Sequence, residues 1–393
     1  MKPSHKIRPV FDDPNLVSSA GLVPALRLAE SAGLDDLLDG LTVPSPNAGA
    51  KMTCVIGGML AGADAEGIAM LDVDDTVREV HGYAKQGAAF GYTKQRGLNI
   101  QIAVVSTPLT APVIARARLR SGNTASAKGA GRMLAQALTT ARAAGVNGTV
   151  LCRADSAYYG WAFVGTAIRH KAWFSVTARM TKTVTSAIAS IPTEAWQPIE
   201  YPNAIYDEAE QRWVSDAEVA EVGFIAFTGR RKHEHVPCRL VVRRVKRLAP
   251  LASDGTEQGE LFATYRHHAF ITNSTLSMVE ADQRHRDHAL VEQVIAELKD
   301  GPLAHLPSGK YAANAAWVAL AAIAFNVARA TGVAASMHRA RWASLRKKII
   351  DVPARIASTA RRLDLHMPAD WPWATSWEAL WSTATGPPAA ARA

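Results

Sequence analysis

The chain has little cysteine, and none of it is paired in sequence. Cys54, Cys152 and Cys238 are the only three in 393 residues, and they lie far apart. That excludes a disulfide scaffold and a CxxC zinc site, and it fits a reducing cytoplasm. No N-terminal basic–apolar–small pattern marks a secretory signal. Long apolar runs are missing too. The most apolar stretch, residues 315–325 between Asn314 and Asn326, is too short to span a bilayer, so no membrane partner is expected. Neither a GxxxxGK[ST] loop nor a GxGxxG fingerprint occurs, which leaves an ATP-driven or dinucleotide-dependent enzyme without support.

What is present is ordinary globular composition, 48% apolar and 20% charged, at a length that accommodates two or three domains. The net charge of +9 is unevenly spread. Residues 329–362 hold nine Lys/Arg against Asp351, and residues 229–247 hold eight against Glu234. Without these two segments the chain is acidic. Positive charge focused in this way is expected of a surface that meets a polyanion, although solvated faces would look the same taken singly.

Along the chain, residues 1–66 read as a helical N-terminal region, with a leucine stripe over residues 24–38 and a second apolar helix at 48–61. Residues 69–73, 77–81 and 99–106 then read as strands. Residues 126–144 form an amphipathic helix closed by Gly145, 149–154 a strand, 161–171 a helix and 173–177 a strand. This order predicts an α/β fold, a mixed sheet with helices packed on it, over residues 67–179. Residues 180–277 carry short β-like runs and turn signals, and are expected to be a β-rich insertion. Helix returns at 276–299 and 312–330, so that residues 278–332 would complete the core. A basic C-terminal segment, 333–393, follows, in which Trp342, Leu345 and Ile349 stripe one helix face.

Three places carry carboxylates that need explaining. Leu71-Asp72-Val73-Asp74-Asp75-Thr76 puts three aspartates at the end of an apolar strand, where acidic residues are depleted. Alternation places Asp72 and Asp74 on one face and Asp75 on the other; the plainer alternative is a polar turn after the strand. Asp155 ends the apolar run Val150-Leu151-Cys152-Arg153-Ala154, at a position that reaches a ligand crevice or else caps the following helix. On the helix 276–299, His285, His288, Glu292 and Lys299 fall on one stripe at 100° per residue, with Glu297 turned away. Carboxylates from two strand ends and a helix could hold Mg²⁺ ions, which take oxygen ligands and serve phosphodiester chemistry in pairs. His233, His235, His267 and His268 read as surface residues.

Taken in order, Asp74-Asp75-Thr76, Asp155, and Glu292 followed seven residues later by Lys299 resemble the DDE transposases of bacterial insertion sequences, in the branch called transposase DDE domain group 1. The stretches Gly82-Tyr83-Ala84-Lys85-Gln86-Gly87, Arg153-Ala154-Asp155-Ser156-Ala157-Tyr158-Tyr159 and Gly301-Pro302-Leu303-Ala304-His305-Leu306-Pro307-Ser308 support it. The resemblance implies an RNase H-like mixed sheet with flanking helices, interrupted by a β-rich insertion. It implies a DNA transposase that cuts and joins phosphodiesters with two metal ions, Mg²⁺ with Mn²⁺ as a substitute, held by Asp74, Asp155 and Glu292. The partners implied are element ends and target DNA, bound by a homodimer in the cytoplasm.

Lys299, Arg284, Arg286 and His288, together with Arg243, Arg244, Arg346, Lys347 and Lys348 of the basic segments, are the expected phosphate contacts. Two departures stand out. His285 and His288 occupy the positions of Tyr and Arg in the related Y-x2-R-x3-E-x6-K helix signature. Residues 62–68 lead abruptly into the first strand, which looks like a shortening of the helical region before the first catalytic aspartate. The alternatives are a catalytically disabled DNA-binding remnant, and an RNase H-like nuclease without strand transfer.

Overall fold

The structure, a computed structural model, describes residues 15–34, 67–82, 84–108, 111–202, 205–208, 212–246, 265–359 and 362–385. The expected helix at 48–61, the junction at 62–66, the turn at 253–255 and the Gly-Pro-Pro end at 386–388 lie outside them. The chain divides into two compact units. One is Leu41–Phe325; the other combines both termini, Met1–Gly40 and Asn326–Ala393.

In the terminal unit, β1 (Leu16–Val17) and α1 (Leu22–Ser31) come first in the chain. The larger unit begins with β2 (Ala69–Glu79), β3 (Ala89–Phe90), β4 (Arg96–Ser106) and β5 (Val113–Ser121). It continues through α2 (Ala130–Ala143), β6 (Val150–Ala154), α3 (Trp161–Arg169) and β7 (Trp173–Thr177). These strands form one sheet in which β4 pairs antiparallel with β2, β3 and β5, while β2–β6 and β6–β7 pair in parallel.

β2 is one unbroken strand where two had been expected, so its aspartates lie inside the sheet and are not a turn. Strands tolerate acidic residues when both faces offer partners, and here they do, as described below. β5 is an additional strand. Its pattern, Val-Ile-Ala-Arg-Ala-Arg-Leu-Arg, alternates like a strand, but Arg116 and Arg120 are on the buried side, which inverts the usual reading of polarity.

α2 starts four residues later than its apolar period suggested, after Gly129 in the left-handed region (φ 74°). The preceding loop is held open by Arg120, which donates to the carbonyls of Ala125, Ser126 and Lys128 at 3.3, 3.2 and 2.9 Å. Met133, Leu134, Ala137, Leu138 and Ala141 are buried along one side of α2, the spacing of a helix lying on a sheet.

The β-rich segment comprises α4 (Lys182–Ala189), β8 (Gln197–Pro198), a ribbon of β9 (Ile205–Asp207) and β10 (Arg212–Val214), then β11 (Ala217–Ala226), β12 (Val236–Lys246) and β13 (Tyr265–Thr272). It extends the main sheet, because β13 pairs with β7 and continues the order β13-β12-β11-β8. The helix expected at 276–299 is two helices, α5 (Met278–Arg286) and α6 (Leu290–Asp300), joined by a 3₁₀ turn at Asp287–Ala289. α7 (Tyr311–Ala334) follows. It is the one described helix long and apolar enough to cross a membrane, yet it buries Asn314, Asn326 and Arg329.

The terminal unit pairs β1 with β14 (Ala354–Thr359) and β14 with β15 (Arg362–His366). α8 (Trp342–Leu345), a π-turn at Arg346–Ile350 and α9 (Ala374–Thr385) complete it. Its core gathers Ala20, Ala25, Leu345, Ile349, Trp377 and Leu380.

Backbones approach unusually closely where β3, β4 and the end of β5 meet. A Cβ on Gly122 would fall against the carbonyl oxygens of Gly97 and Ala89, and one on Gly91 against that of Gly122. Gly122→Ala should therefore lower stability by about 1–3 kcal/mol, read as a shift of the urea midpoint at unchanged slope.

Candidate active site

Strand register sets which way each aspartate faces. In the antiparallel pair with β4, Asp74 lies opposite Ile102 and Asp75 opposite Gln101; in the parallel pair with β6, Asp72 lies beside Arg153. Paired residues share a face, so Asp72, Asp74 and Thr76 look one way with Arg153, and Asp75 looks the other way with Gln101.

Asp72 is fully buried and makes a two-pronged ion pair with Arg153, whose Nε and Nη2 donate to Oδ1 and Oδ2 at 2.7 Å each. His288 Nδ1 lies 2.8 Å from the same Oδ1, and Arg153 Nη1 also donates to the carbonyl of Arg284 at the end of α5. Burial alone would raise the pKa of Asp72, but the charge of Arg153 and the hydrogen bond from His288 hold it below its ordinary value. Burial likewise works against a charged His288, and its bond to Asp72 overrides that, keeping its pKa raised. Asp72 is thus a structural carboxylate, neutralised on all sides.

Asp75 is also satisfied, on the opposite face. Tyr158 donates its hydroxyl to Oδ1 at 2.7 Å, Asn99 donates to Oδ2, and Arg120 Nη2 lies 3.0 Å from Oδ2. Arg120 Nε donates to Asn99 Oδ1 at 2.9 Å and Arg118 Nη2 to Gln101 Oε1 at 2.7 Å, which closes a buried polar layer under α2.

Asp74 differs from both neighbours. Its one strong contact is the backbone N–H of Asp75, which donates to Oδ1 at 2.7 Å. Burial pushes its pKa up to about 6, with the charges of Asp155 and Asp75 adding to the rise and the Asp75 N–H and His288 opposing it. Asp155 follows the last residue of β6, two positions beyond Arg153, as Asp74 is two beyond Asp72. It accepts from the N–H of Ala157 at 2.9 Å and so caps a 3₁₀ turn at Ser156–Tyr158, the capping role that its sequence position also allowed. The residue as a whole is exposed, but partial burial of its carboxylate raises its pKa, and Asp75 adds to that while the Ala157 N–H and His288 oppose it.

α6 covers the Asp74 face. Ile295, Leu298 and Lys299 line a crease with Thr76, Arg78, Ile100, Ile102 and Leu303. Burial and the nearby Arg78 lower the pKa of Lys299, while Asp74 acts in the opposite direction, so the ammonium lies within the field of that carboxylate. Glu292 is exposed in the first turn of α6. Among the described residues, no three His, Cys, Asp or Glu side chains are grouped as a ready metal cage. Asp74 and Asp155 nevertheless suit a hard divalent cation: both are oxygen donors, and their surroundings disfavour the two negative charges they carry without one.

The other expected site residues are distributed as follows. His285 departs from the stripe it was expected to share with Glu292. It is half-buried, stacked on Phe270 at 4.1 Å between ring centres, with Ser175 Oγ at 2.8 Å and Thr177 Oγ1 at 3.0 Å, and enclosure of its ring lowers its pKa well below the ordinary value. The 3₁₀ turn shifts the helical phase between it and α6. Arg243 and Arg286 both bind the buried Asp282, at 2.7 and 2.9 Å. Arg244 binds Glu218 at 2.6 Å and lies over the rings of Trp196 and Tyr265. Arg284 lies 3.7 Å from Glu280. Arg346 lies 3.0 Å from Asp351 and Lys348 lies 4.9 Å from the Trp373 ring, both in the terminal unit, where Lys347 is exposed. The roles of Arg153, Asn99, Arg120 and Tyr158 are not announced in the sequence, whose one signal for them is the alternating arginine pattern of β5.

Two outcomes test this electrostatic layout. Arg153→Met leaves Asp72 charged and buried with one partner fewer, and should cost about 3–5 kcal/mol in chemical denaturation. For Asp74, whose folded pKa lies above its ordinary 3.8, stability in metal-free buffer should fall as pH rises from about 4 through about 6. Asp74→Asn should remove that fall and leave the protein more stable above pH 6, by on the order of 1–2 kcal/mol in thermal melts.

No curated protein matches the chain. The family model described as transposase DDE domain group 1 matches residues 60–383, a span that contains both strand-end aspartates, the β-rich segment and the Glu292–Lys299 helix. The chain belongs to the DDE transposase domain family, group 1.

Proposed function

We propose that the chain is the DNA transposase of an insertion sequence, cutting and rejoining phosphodiesters at a site built from Asp74, Asp155 and Glu292. The observation that carries this reading is the placement of Asp74 and Asp155 at equivalent positions on neighbouring parallel strands, charge-stressed, with the helix that bears Glu292 and Lys299 packed on the Asp74 face of β2. The strand order β5-β4-β2-β6-β7, antiparallel on one side of β2 and parallel on the other, supports an RNase H-like core, with β8 and β11–β13 as the insertion.

In this mechanism Asp74, Asp155 and Glu292 would hold Mg²⁺, or Mn²⁺ in its place. Two bound ions supply activation of the attacking oxygen and stabilisation of the leaving one. Arg153 and Asp72 hold the two strand ends in register, so that both carboxylates face the same phosphate. His288, whose pKa the bond to Asp72 raises against burial, and Lys299, which lies within the field of Asp74, bind phosphate oxygens. Water cuts the phosphodiester at the element end and leaves a 3′-hydroxyl, which then attacks a target phosphodiester at the same residues, forming a new P–O bond as the target's own 3′ oxygen leaves. Arg284, Arg286, Arg346, Lys347 and Lys348 provide further backbone contacts, whereas Arg243 and Arg244, enclosed in their pairs with Asp282 and Glu218, stay with those carboxylates; a cytoplasmic homodimer brings two ends together.

Asp74→Ala, Asp155→Ala and Glu292→Ala should each reduce Mg²⁺-dependent cleavage of duplex DNA bearing the flanks of the gene to background. Undiminished cleavage in any one of them removes that residue from the mechanism. Salt-sensitive DNA binding without cleavage by the unmodified chain would mark a disabled remnant, and indiscriminate cutting of DNA without terminal repeats would mark a nuclease.

A further inference from the structure

β2 holds the α6 segment at both of its ends. Asp72, Asp74, Thr76 and Arg78 alternate onto one face of the strand. Asp72 meets His288 in the turn that leads into α6, and Arg78 donates to the carbonyl of Ala304 just past its end. The two spans match. From Asp72 to Arg78 the strand extends about 20 Å at its usual rise. From His288 to Asp300 the helical segment extends about 18 Å. α6 therefore follows β2 from pin to pin, with Glu292 level with Asp74 and Lys299 level with Arg78. Between the pins, Thr76, Arg78, Ile295 and Lys299 line the crease where strand and helix meet.

The second pin belongs to a strap. Residues 301–310, between α6 and α7, are neither helix nor strand, so their carbonyls must find donors elsewhere. They find them at alternate positions. Trp317 Nε1 donates to Pro302 at 2.7 Å, Arg78 to Ala304, Lys85 to Leu306, and Asn314 Nδ2 to Ser308 at 2.7 Å. The Gly309 carbonyl accepts from the Gln86 N–H at 2.9 Å, and Gln86 Oε1 accepts from the N–H of Tyr311, the first residue of α7, at 3.1 Å. Two stretches far apart in sequence, around Lys85 and around Leu306, thus lie against each other at the end of α6.

Arg78 is a costly side chain for this place. It is half-buried, its Nε is enclosed without a partner, and the charge of Lys299 stands close by. Leu303 and Leu306 are buried and anchor the strap by apolar contact. Of the strap's donors, Arg78 is the one borne by the strand that carries Asp74.

We propose that Arg78 is a positioning residue for phosphodiester cleavage: by holding the Ala304 carbonyl it fixes the C-terminal end of α6, and so sets how Lys299 and Glu292 stand relative to Asp74. This rests on the reading of that face as the site of cleavage. Arg78 acts through the strap and the helix, and takes no part in bond breaking.

The test separates placement of the helix from chemistry. Hydrogen–deuterium exchange of the full chain, without DNA or metal, would compare the unmodified chain with Arg78→Met and Arg78→Lys. Arg78→Met should raise exchange over residues 290–304 about tenfold and leave β4 and α2 within about twofold. In single-turnover cleavage with Mg²⁺, at saturating duplex bearing the flanks of the gene, the same variant should be slowed about tenfold or more, while its affinity for that duplex in Ca²⁺ stays within about threefold. Arg78→Lys keeps a charged donor of similar reach and should recover most of both losses.

Unchanged exchange over residues 290–304 would overturn the proposal, and so would a rise shared equally by β4 and α2, which marks a general loss of stability. A loosened helix with undiminished cleavage, a loss carried wholly by affinity, or an Arg78→Lys variant as impaired as Arg78→Met would do the same. If the unmodified chain cleaves nothing while Arg78→Met loosens α6 alone, the cleavage reading falls and the pinning of α6 by Arg78 stands.

Discussion

The buried pair of Asp72 and Arg153 is the interaction on which the rest of the site depends. It joins the two parallel strands whose ends carry Asp74 and Asp155, and its third partner is the carbonyl of Arg284 where α5 ends. His288, in the turn leading to α6, completes the shell around Asp72. One carboxylate thereby ties together both strands and the helical segment that leads to Glu292. Such a pair adds little net stability, because desolvation of both ions offsets their attraction. What it imposes is register. Side chains alternate with a period of two, so a one-residue slip of β2 would turn Asp75 toward α6 and bury Asp74 in the layer under α2.

The contrast between the two faces of β2 follows from that register. Asp75 meets Arg120, Tyr158 and Asn99, and Asp72 meets Arg153 and His288, so both are supplied with protein partners. Asp74, between them, receives one backbone N–H and the repulsion of two other carboxylates. A fold could have matched it with a cation from β4, but the residue opposite is Ile102. Leaving one carboxylate under-compensated amid two that are fully compensated is the pattern of a site shaped for an external charge.

Much of this was legible in the sequence, and the limits of that reading are physical. The facing of Asp72 and Asp74 against Asp75 follows from alternation alone, and Asp155 announces itself by ending an apolar run. The unbroken course of β2 was hidden because its acidic stretch reads as a turn unless the partners are known, and those partners lie on β4, β5 and β6. β5 itself was concealed by the same network, since Arg116 and Arg120 are buried where apolar residues are normally found. The break between α5 and α6 leaves no glycine or proline to announce it. It arises from His285 and His288 attaching to different strands, a tertiary effect that local periodicity does not contain.

The basic segment at 229–247 shows the same difference between count and placement. In sequence it is a dense run of cations. In the fold, Arg230, Arg239, Arg243 and Arg244 face Glu234, Glu221, Asp282 and Glu218 respectively. Arg243 is nearly enclosed, with Asp282 shared by Arg286, and withdrawing it toward a phosphate would leave a buried carboxylate short of a partner. The pairs of Arg230 and Arg239 are more open, and pairs of that kind are worth little enough for a phosphate to displace the carboxylate. Arg231, Lys232 and Lys246 are exposed. If this segment meets DNA, the contact falls to its rim cations, and the steepness with which salt weakens binding would reflect those cations, not the total in the sequence.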